Sequence, residues 1–209
     1  MLVGEGHDWL EGEELAWNLL AGLNPEDVCL RAKAGYDKSS RKYVLPVFGV
    51  EAFISLKERR IWGDSPLADL LLDKLYYYTH LPILWYLIQA KDVPLSGKLL
   101  NPSHTSEGLI FGSGSHTLPL VQIAEKYGRD VMGFLERGRE LGGEPLAYGD
   151  ASVRLFAFPR VPVVLLLWAQ DEEFPARADL LFDSTCSLHL PTDILWSVAM
   201  ASILVMGED

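Results

Sequence analysis

The stretch GDASVRLFAFPRVPVVLLLWAQDEEFPARADLLFDSTCSLHLP, residues 149–191, decides how this chain folds. Ala151 to Phe158 alternates with the period of a strand. Val153, Leu155 and Ala157 lie on one side, and Ser152, Arg154, Phe156 and Phe158 on the other. Pro159-Arg160-Val161-Pro162 reads as a turn, because its two prolines fix φ and remove two donors from any ladder. Val163 to Ala169 is apolar throughout and of strand length, the pattern of a strand covered on both faces. Together the two segments predict an antiparallel hairpin in the middle of a sheet, with Ala178 to Phe182 as a third strand ending at Asp183. A hairpin symmetric about the four-residue turn sets Asp150 opposite Asp171, with Arg154 on the same face.

The rest of that face is Phe156, Phe158, Val163, Leu165 and Leu167. A charge buried there without a partner is strongly destabilising, so Arg154 needs an anion. Asp150, Asp171 and Asp183 are the candidates, and a ligand's carboxylate or phosphate would serve as well. A purely structural ion pair at the sheet's end is the alternative. If the second strand runs on, Asp171 and Glu173 share one side and Glu172 takes the other. Neighbouring carboxylates can share a proton, hold a cation or do acid–base work. They can equally form a solvated acidic turn ahead of Pro175.

Outward from this stretch, 209 residues with 49% hydrophobic and 22% charged content suffice for a sizeable core and argue against extensive disorder. A net charge of −11 repels phosphate backbones and anionic lipid. No nucleic acid and no membrane is therefore expected as a partner, and a basic protein or cationic ligand is favoured. Cys29 and Cys186 are far apart and form no CxxC pair. They make neither a disulfide framework nor a self-contained zinc or iron–sulfur site. The first residues lack the basic-then-apolar order of a signal peptide. Ile194 to Met206 is shorter than the roughly 20 apolar residues a bilayer requires. A cytoplasmic protein is expected.

Glu13 to Leu23 has an apolar side and stops at Asn24-Pro25. Tyr43 to Gly49 and Ala52 to Ile61 read as strands. Ser65-Pro66 starts a helix, a capping serine followed by proline at the first helical position. The helical period then runs from Leu67 to Tyr78 until Pro82 kinks or breaks it. At that junction Tyr76, Tyr77, Tyr78 and His80 could line a pocket or hold a flat cofactor through His80. Ordinary aromatic core packing is the other reading, and no CxxCH haem-attachment motif is present. Gly112-Ser113-Gly114-Ser115-His116-Thr117, ahead of a helix from Leu118 to Leu141, offers backbone donors to an anion. It is neither GxGxxG nor a Walker A loop. Asp183, Cys186 and His189 are spaced as possible metal ligands but lack a clear fourth. Cys186 with His189 comes with no oxyanion donor to name.

Pro159-Arg160-Val161-Pro162, Trp168, Asp171-Glu172-Glu173-Phe174-Pro175 and Leu181-Phe182-Asp183 together resemble a bacterial and archaeal family catalogued as domain of unknown function 3786. The likeness centres on Gly149 to Pro191 and is looser at Leu95-Ser96-Gly97-Lys98 and the helix ahead of it. Some members of that family carry an added iron–sulfur cluster domain, so the resemblance implies redox or one-carbon metabolism in anaerobes. This chain has no four-cysteine segment. An iron–sulfur or corrinoid partner would therefore be a separate polypeptide. No catalytic residues carry over, but the resemblance strengthens Asp171, Glu172, Glu173 and Asp183 as site candidates.

The expected fold is a single α+β domain, a largely antiparallel sheet of the two early strands and the Ala151–Ala169 hairpin with helices packed on it. The expected ligand site joins Arg154, Asp171, Glu173 and Asp183 at the sheet end with His80 and Tyr77, with no metal and with the cofactor left open. Three roles follow: a ligand- or cofactor-binding accessory protein of anaerobic redox or one-carbon metabolism, an enzyme using Asp171, Glu173 and Asp183 as metal ligands or acid–base groups, and an acidic protein-interaction module.

Overall fold

The structure, a computed structural model, describes residues 5–102 and 117–208, with side chains from residue 12 onward. The candidate anion loop at 112–116 lies outside the described residues. Helices α1 (Glu5–Ala21) and α2 (Pro25–Ala32) lead into a four-stranded antiparallel meander. Its strands are β1 (Gly35–Asp37), β2 (Lys42–Val47), β3 (Val50–Ser55) and β4 (Arg60–Trp62). Asn24-Pro25 ends α1 as expected and also starts α2, the Asn24 side chain accepting the Glu26 N–H at 2.9 Å.

A helical stretch follows. Ser65 accepts the Ala68 N–H at 3.1 Å and caps α3 (Pro66–Asp69), which passes into a π turn (Leu70–Lys74) and then α4 (Tyr76–Gln89). The expected break at Pro82 is absent, and the irregularity falls at Leu75. A proline inside a helix costs about 3 kcal/mol. Leu81, Ile83, Leu84, Tyr86 and Leu87 on the same helix are all buried, and each such side chain contributes about 1.5–3 kcal/mol. Burial of α4 therefore outweighs the lost hydrogen bond.

The second sheet has the order β5-β9-β8-β7-β6, antiparallel throughout. It comprises β5 (Leu99–Leu100), β6 (Glu144–Leu146), β7 (Ala151–Phe158), β8 (Val161–Trp168) and β9 (Arg177–Asp183). Helices α5 (Leu120–Tyr127) and α6 (Val131–Glu140) precede it, and α7 (Thr192–Gly207) closes the described chain. Gly138 lets α6 settle on the sheet, since a Cβ there would stand 2.4 Å from Val153 Cγ2. The central strand β8 is buried from Val161 to Leu167, as its unbroken apolar run implies.

The α+β class and the three strands within 151–183 agree with the sequence reading. The early strands do not join the hairpin. Its outer edges are already taken, by β6 on one side and β9 on the other, so β1–β4 pair among themselves. The two sheets touch where the Phe48 N–H donates to the Phe156 carbonyl at 3.0 Å, and their buried side chains belong to one hydrophobic core. Among the described residues no helix is long and apolar enough to cross a membrane.

Candidate functional site

Hairpin register decides where the expected site residues lie. β7 and β8 pair Ala151 with Leu167 and Phe158 with Val161, closing on a two-residue turn at Pro159-Arg160, with a bulge between Phe156 and Phe158. Val161 and Pro162 belong to the strand and not to the turn. Asp150 consequently lies one position beyond the Ala151–Leu167 pair, beside Trp168, and Asp171 falls past the strand's end.

The expected gathering of charges around Arg154 is thereby overturned. Arg154 stands directly opposite Glu144 of β6 and pairs with that carboxylate, not with Asp150, Asp171 or Asp183. Its side chain is 36% exposed, and its guanidinium lies over Phe156, 5.5 Å from the ring centroid. The physical reason is β6, a short strand absent from the sequence reading, which supplies a cross-strand carboxylate. His80 and Tyr77 sit elsewhere, at the start of α4. His80 Nε2–H donates to the Leu72 carbonyl at 2.9 Å, and the Thr79 hydroxyl donates to the Leu71 carbonyl at 2.8 Å. Both carbonyls belong to the π turn, so these side chains support the helix irregularity. Burial lowers the His80 pKa. Tyr77 is half-exposed against Tyr76.

At the turn end of the second sheet, Asp183 is 3% exposed. Its carboxylate accepts the Ser96 N–H at 3.2 Å, the Ser96 hydroxyl at 2.9 Å, the Gly97 N–H at 2.8 Å, the Thr185 N–H at 2.9 Å and the Thr185 hydroxyl at 2.7 Å. Burial alone would raise its pKa. The hydrogen bonds from Thr185 and Ser96 outweigh that and hold it at about 2. Arg160 is 6% exposed and donates to the Arg31 and Val93 carbonyls, each at 2.7 Å, and to the Asp92 carboxylate. His189 is fully buried and accepts the Lys91 N–H through Nδ1 at 3.2 Å. Burial, with Arg160 adding to it, lowers its pKa to about 4. Burial likewise pushes the Cys186 thiol up. The spacing of Asp183, Cys186 and His189 thus reflects a packed corner. Neither the thiol nor the imidazole is activated for nucleophilic work. Among the described residues no group of three or more His, Cys, Asp or Glu side chains is placed to hold a metal ion.

The other end of the sheet is open. A cleft of about 640 Å³ is lined by Asp150, Trp168, Asp171, Phe174, Pro175 and Arg177, with neighbouring alanines. Trp168 pairs across the strands with Arg177, whose guanidinium carbon stands 4.1 Å from the ring centroid. Gly149, at φ +60°, lies against the same ring, where a Cβ would come within 3.4 Å of Cε2. The Asp171 carboxylate accepts the N–H groups of Glu173 at 2.8 Å and Phe174 at 2.7 Å, and its own N–H donates to the Phe174 carbonyl. This closed turn leaves Phe174 66% exposed. The Asp150 carboxylate accepts the Ala169 N–H at 2.8 Å, and the Gln170 N–H donates to the Gly128 carbonyl at the end of α5. Among the described residues Asp150, Asp171 and Arg177 form no ion pair.

Of the expected site residues, Asp171 alone lines this cleft; Glu173 is exposed in the adjoining turn. Arg177 was missed because only the β8–β9 register puts it over Trp168. Arg160 was missed because an arginine in a tight turn ordinarily points to water.

Fold and site together define an α+β domain of two antiparallel sheets with an open cleft at one end of the second sheet. The family model described as Domain of unknown function (DUF3786) matches residues 24–204, and the chain belongs to that family. The match reaches well outside 149–191 and takes in both sheets. No curated protein and no solved structure matches.

Proposed function

We propose that this is a ligand- or cofactor-binding accessory protein whose binding site is the cleft at Asp150, Trp168, Asp171, Phe174 and Arg177. One observation carries the reading. The segment Trp168 to Pro175 spends its local hydrogen bonds on a turn that holds Phe174 66% exposed beside a cleft. An apolar floor with a few converging polar groups is the usual make-up of a ligand site, and the volume falls within the roughly 300–1,000 Å³ such sites occupy.

Catalysis has less support. Asp183 sits at the opposite sheet end from Asp171, so the acid–base or metal-binding trio has no common centre. The setting implied by the family likeness is anaerobic redox or one-carbon metabolism beside a separate iron–sulfur or corrinoid protein. It names the conditions in which to look for the ligand.

Native mass spectrometry of protein purified without oxygen tests the proposal. Wild type should carry a small-molecule adduct that is lost in Phe174→Ala, a change at an exposed side chain. Bare masses for both proteins, however purified, would overturn the reading.

A further inference from the structure

Resting on that cleft, we infer that its ligand is a zwitterion carrying a cationic amine and a carboxylate on a flexible chain, of the ω-amino acid or dipeptide class. The cleft holds both signs of charge without letting them neutralise one another: Asp150, Asp171 and Arg177 all line it, and none is in an ion pair among the described residues. A site shaped for a cation alone would place Arg177 as a repulsive element. One shaped for an anion alone would do the same with the two aspartates.

Each charged group is also held in place. The Arg177 guanidinium is stacked on Trp168, which leaves its N–H edge to meet a carboxylate in the planar, two-pronged manner arginine favours. One oxygen of Asp150 is occupied by the Ala169 N–H, and one of Asp171 by the Glu173 and Phe174 N–H groups. The second oxygen of each carboxylate has no hydrogen-bond partner among the described residues and can accept from an ammonium.

Strand geometry supplies the spacing. Asp150 follows on from β7, Trp168 lies in β8 and Arg177 in β9. The backbones of Asp150 and Arg177 are therefore two inter-strand steps apart, about 10 Å. The Arg177 side chain lies back over Trp168, whose ring reaches Gly149 beside Asp150, so the charges stand closer together than the backbones do. A zwitterion on a flexible chain can adjust the distance between its own charges to meet both signs. Trp168, Phe174 and Pro175 offer apolar surface to the body of such a molecule.

Isothermal titration with 6-aminohexanoate, hexylamine and hexanoate tests the inference, because the three share one chain and differ only in their charges. The zwitterion should bind at least tenfold more tightly than either singly charged analogue. Its advantage over hexylamine should vanish in Arg177→Gln, and its advantage over hexanoate in Asp171→Asn. If hexylamine or hexanoate binds as tightly as the zwitterion, and Phe174→Ala abolishes that binding, the zwitterion is refuted while the cleft stands. If none of the three binds at millimolar concentration, the inference falls too. The mass-spectrometric adduct then decides separately whether the cleft is a ligand site.

Discussion

At the turn end of the second sheet Asp183 accepts five hydrogen bonds and Arg160 donates three, all within the protein. At the other end, among the described residues, Asp150 and Asp171 each keep a carboxylate oxygen free, and Arg177 keeps the edge of its guanidinium. Both ends use aspartate and arginine, so residue type does not separate them. Desolvation does. The segment from Ala90 to Lys98 and the end of α2 cover the turn end, and a covered charge must be saturated or it destabilises the fold. The far end stays in contact with water, which tolerates unpaired charges. Buried, saturated aspartate and arginine mark the architecture here, where His189 Nε2 alone among the side chains described at that end is buried without a hydrogen-bond partner, and exposed, unpaired aspartate and arginine mark the candidate site.

The sharpest way to break this contrast is Arg160→Met. It leaves the Arg31 and Val93 carbonyls without their donor, at about 1–3 kcal/mol each in urea unfolding, while the 57% exposed Asp92 turns to water. A loss below about 1 kcal/mol would place Arg160 with ordinary surface arginines and erase the contrast.

Next in size is a pH effect at the same end. His189 titrates near 4 when folded, against an ordinary 6.5, so the unfolded chain binds more protons between those values. Stability is then complete above pH 6.5 and falls as pH drops toward 4, by about 3 kcal/mol for a shift of this size. His189→Gln should flatten that limb of the stability profile. An unchanged slope would assign it to other groups. Asp183 acts with the same sign lower down, its contribution present above its ordinary 3.8 and lost as pH falls through about 2.

The smallest effect is expected at Arg154, the residue that the sequence made most prominent. Its pair with Glu144 is partly exposed, and Arg154→Met should change stability by about 1 kcal/mol or less. A loss as large as that of Arg160→Met would restore the view of Arg154 as a buried anchor.

Much of the fold was legible. Alternation in Ala151–Phe158, the unbroken run in β8 and the Ala178–Phe182 strand ending at Asp183 all lie where the pattern implied. Ser65 caps its helix, whereas the one helix expected over Leu118–Leu141 is two, α5 and α6, parted after Gly128. The candidate site was legible only in part. Asp171 stood out through the family likeness and lines the cleft, beside Trp168 and Phe174, which belong to the same motif but were not singled out as site residues. Glu173 lies in their turn, whereas His80, Tyr77, Arg154 and Asp183 belong to other places.

What the sequence by itself determined, then, is whatever depends on neighbours a few residues away: strand period, helix caps and the sign of the surface. Only the tertiary structure decided which charges meet. A turn two residues shorter than the motif suggests moved Asp171 out of line with Asp150, and β6 claimed Arg154. Arg160 became buried because Arg31, Asp92 and Val93, distant in the chain, close over it. Pairing partners follow from register and burial, which are properties of the assembled sheets and not of any local window.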